Sequence, residues 1–179
     1  MEIKYRTELP KLLQFHNLPP IAAEVGVAEG LFSAELLRRG INLVMVDNWG
    51  TIEGITGDGN YPQEWHDNNL EQVRKLADKF PSRATIAQGL STDVAATFGD
   101  EVFSLVYIDA DHSYDGCMKD LQAWYPKVVK GGIIAGHDYL NNDYGVEVAV
   151  LEFCNERGIQ IHLIPETKDE DASFWFIKP

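Results

Sequence analysis

The chain has 179 residues, enough for one domain with a buried core, and its composition (45% hydrophobic, 24% charged) is ordinary for a globular protein. No apolar run approaches the ~20 residues of a membrane span, and the N-terminal stretch lacks the features of a secretory leader, so the expected location is the cytoplasm, away from membranes. The formal charge of −13, from 28 acidic and 15 basic residues with no Lys/Arg cluster, disfavours a nucleic-acid partner, whose phosphates such a surface repels.

Short β-branched apolar runs alternate with amphipathic stretches, and no repeat, low-complexity tract or linker divides residues 1–179, which read as a single domain. The first predicted strand covers residues 21–26 (IAAEVG), with a helix at about 31–39 and a second strand at 41–47 (INLVMVD). A glycine-rich stretch with Trp49, Tyr61 and Trp65 follows, then a long helix ending near Phe80. Strands three and four lie at 84–89 (ATIAQG) and 103–110 (FSLVYIDA). A helix over 114–128 is expected to stop at the turn Lys130-Gly131-Gly132 and lead into a fifth strand ending at His137 and Asp138. After a helix at 146–157, the runs IQIHLIP and SFWFIKP, joined by the charged loop 166–171, read as an antiparallel hairpin.

This pattern predicts an α/β three-layer sandwich around a mostly parallel seven-stranded sheet. Right-handed crossovers and a chain reversal after the third strand place a ligand crevice at the C-terminal ends of strands one and four. The polar motifs fall at those ends. Cys117 and Cys154 match no metal or redox spacing and read as packing thiols.

The segment from Glu24 to Gly30 joins strand one to its helix. Gly26 and Gly30, spaced G-x-x-x-G, suit a tight turn and close ligand approach, though not the dinucleotide fingerprint G-x-G-x-x-G. Glu24 is a carboxylate in an apolar strand and needs a partner, for which a cationic ligand is one candidate. Asp47 closes strand two, where an acid can accept hydrogen bonds from ribose hydroxyls. Gln88 and Ser91 flank the end of strand three, and Ser91 equally reads as the cap of the next helix.

At the other side of the crevice, the end of strand four supplies Asp109 and His112, and that of strand five His137 and Asp138. Two carboxylates and two imidazoles there suit either a divalent cation or acid–base work. Asp111, Ser113 and Asp115 are candidate caps of the helix that follows strand four, Asp111 being read as one, and His66 and Asp67 read as capping or surface residues. Residues 48–65 read either as a lid over the crevice or as a surface loop, and 139–145 as a substrate wall. Trp124 and residues 174–176 read as core.

Two sets of motifs carry a family resemblance. E-V-G-V-A-E-G with V-D-N-W, and then I-D-A-D-H-S-Y, D-L-x-x-W-x-P and G-G-x-x-A-G-H-D-Y, resemble class I S-adenosylmethionine-dependent methyltransferases. The branch resembled is one of small enzymes similar to metal-dependent catechol and sugar O-methyltransferases. The resemblance runs from about Glu24 to Phe176 and implies a Rossmann-like fold. It implies a cofactor held by Glu24, Gly26, Gly30, Asp47, Gln88, Ser91 and Asp109. It further implies a divalent metal (Mg²⁺ or Mn²⁺) on Asp109, His137 and Asp138, with His112 as general base. Two departures stand out. Ala28 replaces a common second glycine, and His137 replaces an oxygen donor, which tilts the site from Mg²⁺ toward Mn²⁺, Fe²⁺ or Zn²⁺.

The expected activity is therefore methyl transfer to a small-molecule acceptor, first of all a hydroxyl. An NAD-dependent oxidoreductase and a non-catalytic cofactor-binding module are the alternatives. Only 20 residues precede the first strand, so the site is either open or completed by a second subunit of a homo-oligomer.

Overall fold

The computed structural model describes residues 1–51, 61–165 and 171–179; the central part of the predicted lid (52–60) and most of the charged hairpin loop (166–170) lie outside them. Seven strands make up the sheet: β1 (Ile21–Val25), β2 (Asn42–Asp47), β3 (Ala84–Gln88), β4 (Phe103–Ile108), β5 (Val128–Gly136), β6 (His162–Ile164) and β7 (Ser173–Ile177). Their order is β3-β2-β1-β4-β5-β7-β6. The pairs from β3 to β5 are parallel, while β7 runs antiparallel to both β5 and β6. The order reverses between β1 and β4, where the sequence placed the crevice.

Alternation along each strand sorts side chains into two cores. Ala22 of β1 joins Leu43, Met45 and Leu105 beneath α1 (Leu9–Phe15), α2 (Leu31–Arg38) and α3 (Gln63–Ala77). Ala23 and Val25 join Val46, Val106 and Phe174 beneath α4 (Ser91–Ala96), α5 (Tyr114–Trp124) and α6 (Val146–Asn155). The sheet is thus the middle of three layers, and every residue of β4 is buried, as a strand covered on both faces must be. Each buried Val, Leu or Ile contributes ~1.5–3 kcal/mol. Cys117 and Cys154 are free and buried in the second core, and burial pushes both thiols up to about 12.

The structure corrects the sequence reading in several places. Lys130-Gly131-Gly132 is not a helix-ending turn. The helix stops at Trp124 and a 3₁₀ turn at Tyr125–Lys127 follows, so the three residues lie inside β5, where the β4–β5 register jumps. Gly131, at φ +74°, turns the backbone there and donates to the Lys178 carbonyl. Asp111 does not cap α5. That role belongs to Ser113, whose Oγ accepts from Gly116 N–H at 3.0 Å, while Asp111 accepts from Ser113 N–H. Ser91 is the first residue of α4, and Leu90 occupies its cap position.

One constraint at the switch point fixes where the site lies. Gly26 donates to the Val46 carbonyl and Asp109 to the Val25 carbonyl, tying the exits of β2, β1 and β4 together. A Cβ on Gly26, at φ +89°, would sit 2.0 Å from the Asp109 carbonyl oxygen. The glycine therefore serves backbone-to-backbone contact in the sheet. Gly30, at φ +80°, opens α2 and faces Val73 and Leu76 of α3.

The same alternation turns Glu24 under α2, where its carboxylate, 2% exposed, accepts from the Ser33 hydroxyl. The partner demanded by this acid in an apolar strand is thus a helix hydroxyl. Burial, reinforced by the nearby Asp109 charge and opposed by Ser33, raises its pKa from 4.5 to about 8. Between those values the folded chain holds a proton that the unfolded chain has lost, so stability falls as pH climbs through the window. Glu24→Gln should flatten urea-derived stability between pH 5 and 8, leaving the variant more stable than the wild type at pH 8 by on the order of 3 kcal/mol. Identical pH slopes for the two proteins would contradict this account.

Candidate active site

A cavity of about 750 Å³ opens at the C-terminal ends of β1, β2 and β4, a size suited to a small ligand. Gly26, Asp47, Ser91 and Asp109 line it; Glu24, Gly30 and Gln88 do not. Gln88 instead braces the β2 exit by donating to the Asn48 carbonyl at 3.2 Å.

Asp47 is held by three backbone donors. Oδ2 accepts from Val27 and Ala28 N–H, and Oδ1 from Trp49 N–H, each at 2.9 Å. A carboxylate offers about four acceptor positions, so roughly one is left for a ligand hydroxyl, not the two expected from the sequence. Ala28 and Trp49 adopt left-handed backbone at φ +48° and +43°, and the Trp49 indole, 1% exposed, donates to the Ala28 carbonyl at 3.0 Å. Trp49 is therefore a wedge that shapes the glycine loop, not part of a lid. Tyr61 and Trp65, stacked with ring centres 4.1 Å apart, line the cavity mouth. His66 also corrects the sequence reading: it is 6% exposed and lines the cavity, whereas Asp67 is exposed and accepts from Gln63.

The structure brings together the four residues that the sequence paired across two strands, Asp109 and His112 within the cavity lining and His137 and Asp138 in contact with them but outside it. His112 Nε2 lies 3.2 Å from Asp138 Oδ2 and 3.5 Å from Asp109 Oδ1. His137 Nδ1 lies 3.2 Å from Asp138 Oδ2. Ligand atoms of Asp109, His137 and Asp138 fall within 4.8 Å of one another, close enough to share one ion. His137 Nε2 is buried without a hydrogen-bond partner among the described residues, a vacancy that a metal or a ligand proton would fill. Burial raises the Asp138 carboxyl, but His137 and His112 together outweigh it and hold it below the usual range. Asp138 sits at φ +57°, a strained position that aspartate tolerates better than most residues.

Arg6 was invisible from the sequence. It belongs to a 3₁₀ turn at Arg6–Glu8, and Nη1 lies 3.6 Å from Asp109 Oδ2 and 3.4 Å from the Tyr107 hydroxyl, with the guanidinium over Phe32. No spacing connects residue 6 to residue 109; only the fold does. The 139–145 segment, expected as a substrate wall, packs against the His112 loop. Gly145 N–H donates to the His112 carbonyl at 2.8 Å, and the Tyr144 ring lies 4.6 Å from the imidazole.

The fold is shared with proteins of known structure. The fold is similar to that of the O-methyltransferase NovP (TM-score 0.70, 22% identity, covering 97% of this chain and 78% of that one). It is also similar to CalS11, a calicheamicin methyltransferase (0.70, 17%, 97% and 80%). An O-methyltransferase from Bacillus cereus, solved in complex with SAH, is comparable (0.66, 16%, 96% and 80%). Among curated proteins no sequence matches significantly. Among the described residues no helix is long and apolar enough to cross a membrane. Residues 23–139, more than half of the chain and spanning every motif from β1 to β5, match the family described as a methyltransferase domain. The chain belongs to this family and is an S-adenosylmethionine-dependent methyltransferase.

Proposed function

We propose that the protein methylates a hydroxyl of a small molecule, with S-adenosylmethionine in the cavity between Asp47 and Asp109 and the acceptor against His112. The observation that carries this reading is that Asp109 and His112, which line the same cavity as Asp47, also meet His137 and Asp138 at its edge in one cluster of carboxylates and imidazoles. Of the three similar structures described above, two are named O-methyltransferases and one a calicheamicin methyltransferase, which supports the same reading.

Bound S-adenosylmethionine supplies a methyl on a sulfonium, so that the acceptor oxygen gains the carbon and a neutral thioether leaves. The protein's part is to align the reactants and accept one proton. Asp47 fixes the ribose end through its remaining acceptor position. His112 Nε2 takes the hydroxyl proton, and carboxylates at 3.2 and 3.5 Å give that proton an opposite charge to rest against. His112→Ala should lower the chemical step ~10²–10⁴-fold with S-adenosylhomocysteine affinity unchanged. Asp47→Ala should weaken that affinity by ~1–3 kcal/mol. Single-turnover kinetics and calorimetry would test this, and equal losses of cofactor affinity in both variants would overturn the division of roles.

Asp109, His137 and Asp138 form a donor set for one divalent ion, which when bound would make the acceptor hydroxyl more acidic. The imidazole favours Mn²⁺, Fe²⁺ or Zn²⁺ over Mg²⁺. A second, metal-free reading has its own observation: Arg6 already places a positive charge 3.6 Å from Asp109. Calorimetric titration of Mn²⁺ into chelator-treated protein should give one site, weakened at least tenfold by Asp138→Asn. Absence of binding for Mn²⁺, Zn²⁺ and Mg²⁺ in the wild type would favour the metal-free reading.

A further inference from the structure

The D-L-x-x-W-x-P motif contributes Asp120 and Trp124, neither of which has a part in the chemistry above. The two meet at Ser91. Trp124 Nε1 donates to Ser91 Oγ at 2.8 Å, and the Ser91 hydroxyl donates to Asp120 Oδ1. The Ser91 proton is thereby committed, and Ser91 is the only hydrogen-bond donor to Asp120 among the described residues. Asp120 is 4% exposed, yet it lines the cavity beside Ser91 and Leu90. An ionised carboxylate there has acceptor capacity to spare, and burying it unused is unfavourable.

The position says what a ligand would bring. Resting on the reading of this cavity as the cofactor site, the ribose lies at Asp47 and the sulfonium must reach His112. The base, attached to the other side of the ribose, is then directed toward Leu90, Ser91 and Asp120. An adenine edge there presents an exocyclic amine donor. We infer that Asp120 is the residue that reads the cofactor's base, accepting from the adenine amine, and that Ser91 and Trp124 are positioning residues that aim its carboxylate. Ser91 thus acts on the cofactor through Asp120. Hypoxanthine, with a carbonyl in place of the amine, would set an acceptor against that carboxylate, and sites built on such a pair reject the mismatched analogue strongly.

Burial, partly offset by the Ser91 hydrogen bond, pushes Asp120 up to about 6, so titrations belong at pH 8, where it is ionised. S-adenosylhomocysteine and S-inosylhomocysteine would be titrated calorimetrically into the wild type and into Asp120→Asn. The wild type should prefer the adenosyl compound at least tenfold. In Asp120→Asn the amide oxygen can keep the Ser91 bond and turn its NH₂ to the base, so the adenosyl compound should weaken about tenfold and the inosyl compound tighten. Ser91→Ala should narrow the wild-type preference without reversing it. Equal weakening of both ligands by Asp120→Asn would mean that the carboxylate only fastens α4 to α5, and would overturn the assignment. So would a wild type without preference, which settles the matter even if the variant fails to fold. A wild type that binds neither compound would instead overturn the placement of the cofactor, and this inference with it.

Discussion

The site depends on how closely the exits of β1 and β4 approach each other. At Gly26 the backbone passes so near Asp109 that a Cβ would stand 2.0 Å from its carbonyl oxygen, and the left-handed turn excludes larger residues independently. This contact makes the glycine loop and the Asp109 loop a single wall. From it the neighbouring strands diverge, since the order reverses at this pair. The divergence opens a crevice that crossover helices do not fill. Asp47 on one side and Asp138 on the other are each one strand away from the β1–β4 pair, and their separation is therefore set by strand spacing.

Electrostatics then assign work to the acids that the crevice collects. Asp109 and Asp138 face the same His112 nitrogen, and two carboxylates so placed repel unless positive charge joins them. Imidazoles, the Arg6 guanidinium and a divalent ion are the available sources, and the first two are built in. Glu24 is handled differently. Packed under α2 and hydrogen-bonded by the Ser33 hydroxyl, it retains its proton and adds no charge beneath Asp109 at neutral pH. A second anion there would work against the cluster's balance, so the protonated state of Glu24 belongs to the site's electrostatics although the residue touches no part of the cavity.

What could be read from sequence followed the range of the interactions involved. Short β-branched apolar runs identified all seven strands, because strands covered by helices on both faces are apolar along most of their length. The pairing of the β4 and β5 termini followed from topology, and with it Asp109, His112, His137 and Asp138 as one group. Caps were misread at Asp111 and Ser91, since Asp and Ser satisfy helix ends and turns by the same short side-chain bonds, and a shift of one or two residues leaves the local pattern unchanged. Lys130-Gly131-Gly132 misled because a left-handed glycine ends helices and forms strand bulges alike. His66 looked superficial beside polar neighbours, but it shares a face of α3 with buried Asn69, Leu70 and Val73. Arg6 gave no signal at all, since a contact between residues 6 and 109 exists only in the folded chain.

The strained positions show where the fold yields to the site. Among described residues other than glycine, five have positive φ, and three of them lie at the cavity (Ala28 and Trp49) or within the Asp109–His137–Asp138 cluster (Asp138). Such conformations cost of order 1–3 kcal/mol each and persist only where the surroundings enforce them. At Ala28 and Trp49 the enforcement is visible: both N–H groups point at Asp47, and the indole closes back on the Ala28 carbonyl. Relaxing either residue would release donors that hold the carboxylate. The strain is thus exchanged for a rigid acid at the end of β2, and the Ala28 departure from glycine is tolerated because these hydrogen bonds hold the turn that a glycine would have adopted freely.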